Sequence, residues 1–97
     1  MSTSIFWIYI LECINGSYYT GYTTQLDRRY KEHQEGTAKC KYTRSFKPIK
    51  IAQSWQIQGD KSIAMKIEKR IKVMDKKRKK ELILFPYKFY EIFKIWL

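Results

Sequence analysis

The sequence predicts a small α/β protein: a three-stranded, mainly antiparallel sheet flanked by helices, in the order β-β-α-β-α, with an aromatic helical segment at the C-terminal end. Three observations predict it. "IFWIYILEC" and "YYTGY" are β-rich runs on either side of Asn15-Gly16, a hairpin signal. "IKIAQSWQI" alternates apolar and polar residues, as a half-buried strand does. Ile63, Ile67, Ile71 and Met74 recur at spacings of four, four and three, which is one buried stripe of a helix.

The first strand, 5–13, is β-branched and aromatic and apolar on both faces, so it is expected in the middle of the sheet. A type I′ turn at Asn15-Gly16 needs positive φ at both central residues and makes a two-residue loop. That loop would set Tyr9 opposite Tyr22 and Glu12 opposite Tyr19, so Tyr9 and Tyr19 would point to opposite faces. A site shared by both tyrosines requires a three-residue loop, a bulge near Gly21, or a Tyr19 that turns over the strand edge. Gly21 suits a bulge, a strand end or a close backbone approach. Thr24 with Asp27 resembles a capping box, so a helix is expected over roughly 25–35, ending at Gly36. Its apolar stripe is thin, with Leu26, Tyr30 and Ala38 beyond the end. Residues 36–48 read as a polar, basic loop closed by Pro48, and 49–57 as the third strand. Gly59-Asp60 ends that strand and caps a helix running from Ser62 to about Lys80, which finishes in the unbroken basic run Lys76 to Lys80. Phe85, Phe89, Phe93 and Trp96 then fall at helical spacing, with Pro86 in a first turn and closure of the core as the expected role.

Ninety-seven residues make one domain, 1–97, with one modest core. Twenty Lys and Arg against nine Asp and Glu give a net charge of +11, a field that nucleic acid is the most abundant polyanion to answer, with an anionic membrane surface or an acidic protein as the alternatives. Cys13 and Cys40 lack a CxxC pair and there is one histidine, which argues against a structural zinc site. "MSTSIFWIYI" lacks the basic start and cleavage site of a secretory leader, and no apolar run is long enough to span a membrane. A reduced, cytoplasmic protein is expected.

The residues able to carry chemistry are Tyr9, Tyr19, Arg29, His33 and Glu68. Arg29 and His33, four apart, share a helix face. "IYI", then "YTG", then "LDRRYKEH", then "EKRIK" resembles the GIY-YIG nuclease domain, over about residues 5–82. The tyrosine pair, the helical Arg-x-x-x-His and the Glu-x-x-Ile-Lys match Tyr9, Tyr19, Arg29, His33 and Glu68-Ile71-Lys72 in order. "AKCKYTRSFKP" is similar to the small, single-domain, mostly bacterial branch. The sequence departs from the wider pattern in having "WIY", without the glycine of the motif, and no asparagine after the Glu68 helix; residues 83–97 are an aromatic extension.

The resemblance implies a metal-dependent endonuclease that hydrolyses DNA phosphodiester bonds, leaving 5′-phosphate and 3′-hydroxyl ends. Tyr9 would be the base or water-orienting group, assisted by Tyr19 and His33, with Arg29 on the phosphate. Glu68 would hold Mg²⁺, with Mn²⁺ as a substitute. The residue chemistry agrees. One carboxylate can hold a Mg²⁺ that keeps most of its waters, and a guanidinium offers phosphate paired donors that Lys does not copy. Thr43, Arg44 and Lys72 are candidates for binding the substrate phosphates. With no second domain to read a site, the charge favours structure-selective or nonspecific action, with DNA as partner and RNA open on charge alone. DNA repair is one setting that fits. The alternative is an inactive nucleic-acid-binding module on the same fold. Either is expected as a monomer or as a homodimer through the C-terminal aromatic segment.

Overall fold

The computed structural model describes residues 4–37 and 41–97; Ala38 and Cys40, noted above, lie outside them. The elements are β1 (Ser4–Cys13), β2 (Tyr18–Thr23), α1 (Leu26–Glu35), α2 (Lys41–Ser45), β3 (Pro48–Gly59), α3 (Lys61–Lys72), α4 (Lys76–Leu84) and α5 (Tyr87–Phe93), followed by one 3₁₀ turn, Lys94–Trp96. The sheet order is β2-β1-β3 and both pairings are antiparallel. The doubly apolar β1 is therefore central, as its sequence requires.

The hairpin differs from the two-residue expectation. Cys13 and Ser17 close it (Cys13 N–H to the Ser17 carbonyl, 2.9 Å), leaving the three-residue loop Ile14-Asn15-Gly16. Only Gly16 takes positive φ there, at 81°. Asn15 instead uses its side chain, whose Oδ1 accepts from the Ser17 hydroxyl at 2.7 Å and the Ser17 N–H at 3.3 Å. The extra residue sets Tyr9 opposite Gly21 and Leu11 opposite Tyr19, so Tyr9 and Tyr19 share one face of the sheet. No bulge at Gly21 is needed; the irregularities lie between β1 and β3, at Ile10/Leu11 and Glu12/Cys13.

Alternation divides the sheet. Phe6, Ile8 and Ile10 of β1 join Trp55 and Ile57 of β3 in the main core, closed by Ala64, Ile67 and Ile71 of α3, Leu82 of α4, and Phe89 and Phe93 of α5. The aromatic tail is thus part of the core. Trp55 stacks on Phe89 at 4.6 Å and 8°, and its indole N–H donates to the Pro86 carbonyl at 2.9 Å. Tyr90 donates to the Gln56 carbonyl, fixing the tail to the free edge of β3. The opposite face carries Tyr9, Leu11 and Cys13, against which the buried His33 of α1 and Thr43 of α2 pack.

Three helix expectations change. α1 begins at Leu26 with Gln25, in place of Thr24, as an N-cap that makes no side-chain cap bond; the Thr23 hydroxyl accepts the Gln25 N–H at 3.1 Å. The buried residue of α1 is His33, while Leu26 and Tyr30 stay half-buried; Gly36, in the left-handed conformation, ends the helix as expected. The basic loop holds a short helix, α2. The long helix is two helices: α3 stops at Lys72, and Asp75 caps α4 by accepting the Arg78 N–H at 2.8 Å. No helix among the described residues is long and apolar enough to cross a membrane.

Candidate active site

β2 is an edge strand, and the candidate site wraps over it. A concavity of about 360 Å³ is lined by Tyr9, Tyr19, Gly21, Tyr22, Thr23 and Arg29, with Lys61 and Glu68 from α3 on the far side of the edge. Residues from the two faces of the sheet meet here because β2 ends the sheet and carries glycine at position 21. A Cβ at Gly21 would run into the phenol of Tyr9. The missing side chain lets a tyrosine on the central strand cross its neighbour and bring its hydroxyl to the edge. This is the close backbone approach expected at Gly21.

Behind Tyr9 lies a buried line of polar atoms. The Tyr9 hydroxyl is 2.8 Å from His33 Nε2, and His33 Nδ1 is 2.8 Å from the Thr43 hydroxyl. Tyr9, His33 and Thr43 are all fully buried, with 1% of Tyr9 exposed, so the phenol forms the floor of the concavity. Burial and then the nearby Arg29 guanidinium hold the His33 pKa down to about 4, against a smaller opposing effect of Glu32, so the ring is neutral near neutral pH. A neutral imidazole carries one N–H, so one ring nitrogen donates and the other accepts. Tyr19 packs edge-on against the same ring, with centroids 5.0 Å apart.

Arg29 enters from α1 with its Nη1 3.0 Å from Glu32, whose carboxyl is held below its usual range by Arg29 and then Arg28. Glu32 orients the guanidinium, an effect absent from the sequence reading. Glu68 borders the Ile67/Ile71 stripe with only 17 % of its side chain exposed, and burial raises its carboxyl pKa against the pull of Lys72 and Lys69. Lys72 Nζ is 3.8 Å from Glu68 and 5.6 Å from the centre of the Tyr19 ring. Among the described residues no three His, Cys, Asp or Glu side chains cluster as a metal cage.

The residues singled out in the sequence therefore separate by depth. Tyr9, Tyr19, Arg29 and Glu68 line the concavity, His33 backs Tyr9, and Lys72 stands beside Glu68. Thr43 is sealed inside against His33, where it supports the imidazole and cannot reach a phosphate. Arg44 is exposed on α2, lies against Gly36 and does not line the concavity. Lys61 was missed, since the first residue of a helix behind its cap carries no sequence signal of its own. Cys13 is buried, and burial pushes its thiol up, the state of an inert structural cysteine.

A three-stranded antiparallel sheet whose edge gathers a tyrosine pair, a helical arginine and histidine, and one carboxylate is the arrangement of a GIY-YIG domain. The chain belongs to the GIY-YIG catalytic domain family, whose profile matches residues 5–81. Its relatives are UPF0213 proteins of bacteria and archaea. One from Halalkalibacterium halodurans is 42% identical over 77 residues, covering 79% of this chain and 80% of its own. One from Halobacterium salinarum is 41% identical over 75 residues, covering 77% and 95%. The first of these has a solution NMR structure, under the organism name Bacillus halodurans, which is similar with a TM-score of 0.52 and 39% identity over 88% of this chain and 92% of that one.

Proposed function

We propose that the protein is a Mg²⁺-dependent endonuclease that hydrolyses phosphodiester bonds in DNA without a long recognition sequence. The observation that carries this is the line Thr43–His33–Tyr9, which holds a phenol, backed by a neutral imidazole, in the floor of a concavity bounded by Arg29 and Glu68. With both ring nitrogens engaged, the imidazole is fixed and holds the Tyr9 phenol in one orientation.

The donor set fits a magnesium ion. Glu68 is a single, partly buried carboxylate without a metal cage around it, and Mg²⁺ is commonly bound through one or two carboxylates with the remaining positions left to water and substrate phosphate. Bound at Glu68, the ion would supply charge to the phosphoryl oxygens and the leaving oxygen. Arg29, already oriented by Glu32, donates to the phosphate from the other side of the concavity. With Thr43 accepting from Nδ1–H, His33 Nε2 accepts the Tyr9 hydroxyl proton as the phenol oxygen takes one from the attacking water. Proton movement from water to Tyr9 and from Tyr9 to His33 is then one relay. The phosphate offsets the Arg29 charge that helps hold His33 neutral, so substrate itself makes the imidazole a better acceptor.

The test is nicking of supercoiled DNA at low salt with Mg²⁺ or EDTA, by wild type, Glu68→Ala and Tyr9→Phe. Wild type nicks only with metal, Glu68→Ala does not nick, and Tyr9→Phe retains binding while losing about 10²- to 10⁴-fold in rate, the usual contribution of a positioned proton-transfer group. Binding by all three with no cutting by any would replace this reading with a nucleic-acid-binding module.

A further inference from the structure

The aromatic rings do not stop at the concavity. Tyr19 forms one wall of it and also walls a second depression, of about 460 Å³, whose other sides are Lys41, Tyr42, Ser45 and Phe46. Tyr42 stacks on Tyr19 with centroids 5.8 Å apart and planes 22° from parallel, and Phe46 follows at 5.2 Å and 45°. Tyr42 and Phe46 remain 38% exposed, although the core of the same protein has taken in Phe89 and Phe93 completely. The ladder is held in place: the Tyr42 and Ser17 hydroxyls are hydrogen-bonded, which ties α2 to the hairpin.

The charge around the rings is mostly positive, although Lys72 also pairs with Glu68. Lys41 lines the depression, Lys72 lies over Tyr19, and Lys79 is close enough to Lys72 and Tyr42 to sense both. Among the described residues no carboxylate lines the depression. An apolar protein partner would find three rings edged by ammonium groups. A polyanion with flat apolar faces would find both of its needs met.

We propose that Tyr19, Tyr42 and Phe46 form a base-stacking subsite, which takes an unstacked nucleobase from the strand whose phosphate occupies the concavity, with Lys41 and Lys72 on the flanking phosphates. Every base has a π-face, so the subsite reads no sequence. A base inside a duplex has both faces covered by its neighbours and cannot use it. The subsite therefore favours single-stranded, frayed or flapped DNA next to the cut. This placement rests on the nuclease reading of the concavity; the stacking itself does not.

The experiment measures binding in EDTA, so that cleavage is not the readout. The probes are a short fluorescent oligothymidylate, an abasic strand with the same number of phosphates, and a blunt duplex. Wild type is expected to bind the oligothymidylate more tightly than the abasic strand. Phe46→Ala and Tyr42→Leu are each expected to weaken oligothymidylate binding about five- to 150-fold, the range for losing one base–aromatic stack, and to leave the abasic affinity unchanged. Tyr42→Phe keeps the ring and is expected to keep that binding. Equal binding of the two single strands by wild type overturns the proposal, and that comparison needs no variant to fold. Equal losses on all three probes overturn it as well. Base discrimination without metal-dependent cleavage would sink only the nuclease reading; cleavage without base discrimination would sink only this one.

Discussion

His33 shows how a single residue sets both chemistry and stability. The imidazole is buried between two hydroxyls and held neutral in the folded protein down to about pH 4, whereas in the unfolded chain it takes up a proton near its ordinary value of 6.5. Between those values the unfolded state binds more protons, so stability rises with pH. The contribution is fully present above about pH 6.5 and is lost as pH falls toward 4, to an extent on the order of 3 kcal/mol. Urea unfolding midpoints of wild type should therefore drop over that window, and those of His33→Gln should drop much less. An equal fall in both proteins would mean that His33 titrates normally. The Arg-x-x-x-His spacing made His33 visible in the sequence as one side of a helix face. Thr43 was not visible in this role, because nothing local marks a threonine ten residues away as the partner of an imidazole.

Among the elements, β2 decides whether the site exists. Gly21 leaves the gap through which the Tyr9 phenol reaches the sheet edge. Gly21→Ala should push that phenol off His33, destabilise the protein by about 1–3 kcal/mol as overpacking does, and cut nicking at least as much as Tyr9→Phe. Comparison of melting temperature and nicking rate in the two variants checks this; an active, fully stable Gly21→Ala protein would remove the glycine from the argument. Most elements could be read from the sequence because their patterns were local: the doubly apolar β1, the alternation in β3, the Ile63–Ile67–Ile71 stripe. The failures came where a competing local signal was weaker than the obvious one. Asp75 lay hidden at the start of a basic run yet caps a new helix there. Asn15-Gly16 suggested a two-residue turn, while the Asn15 side chain bonded to Ser17 and left only Gly16 in the left-handed region.

Across the whole molecule, the net charge of +11 points to affinity for DNA dominated by phosphate contacts. Binding to a blunt duplex should weaken steeply and log-linearly with salt. Each lysine or arginine that meets a phosphate should take about 0.9 from the slope when neutralised, as in Lys77→Gln on the exposed α4 run. A titration of wild type and this variant from low to physiological salt measures it; an unchanged slope and affinity would leave the α4 run as a solvated surface. The tail also belongs to this scale. Residues 83–97 lie outside the family match, yet Phe89 and Phe93 complete the core and Trp55 is bonded to Pro86, so the extension is structural here.

The three-residue hairpin loop sets unequal evolutionary limits on length and on identity. Ile14 is 69% exposed, so many side chains can replace it. Its removal is another matter: the strand that follows would slip by one position, Tyr19 would turn away from Tyr9, and the gap at Gly21 would move out from under the phenol. Among descendants of this gene, codon substitutions at position 14 should accumulate freely while single-codon insertions and deletions between Cys13 and Ser17 are purged. The spacing of the two tyrosines is inherited as a count, and the residues that make up the count are nearly anonymous.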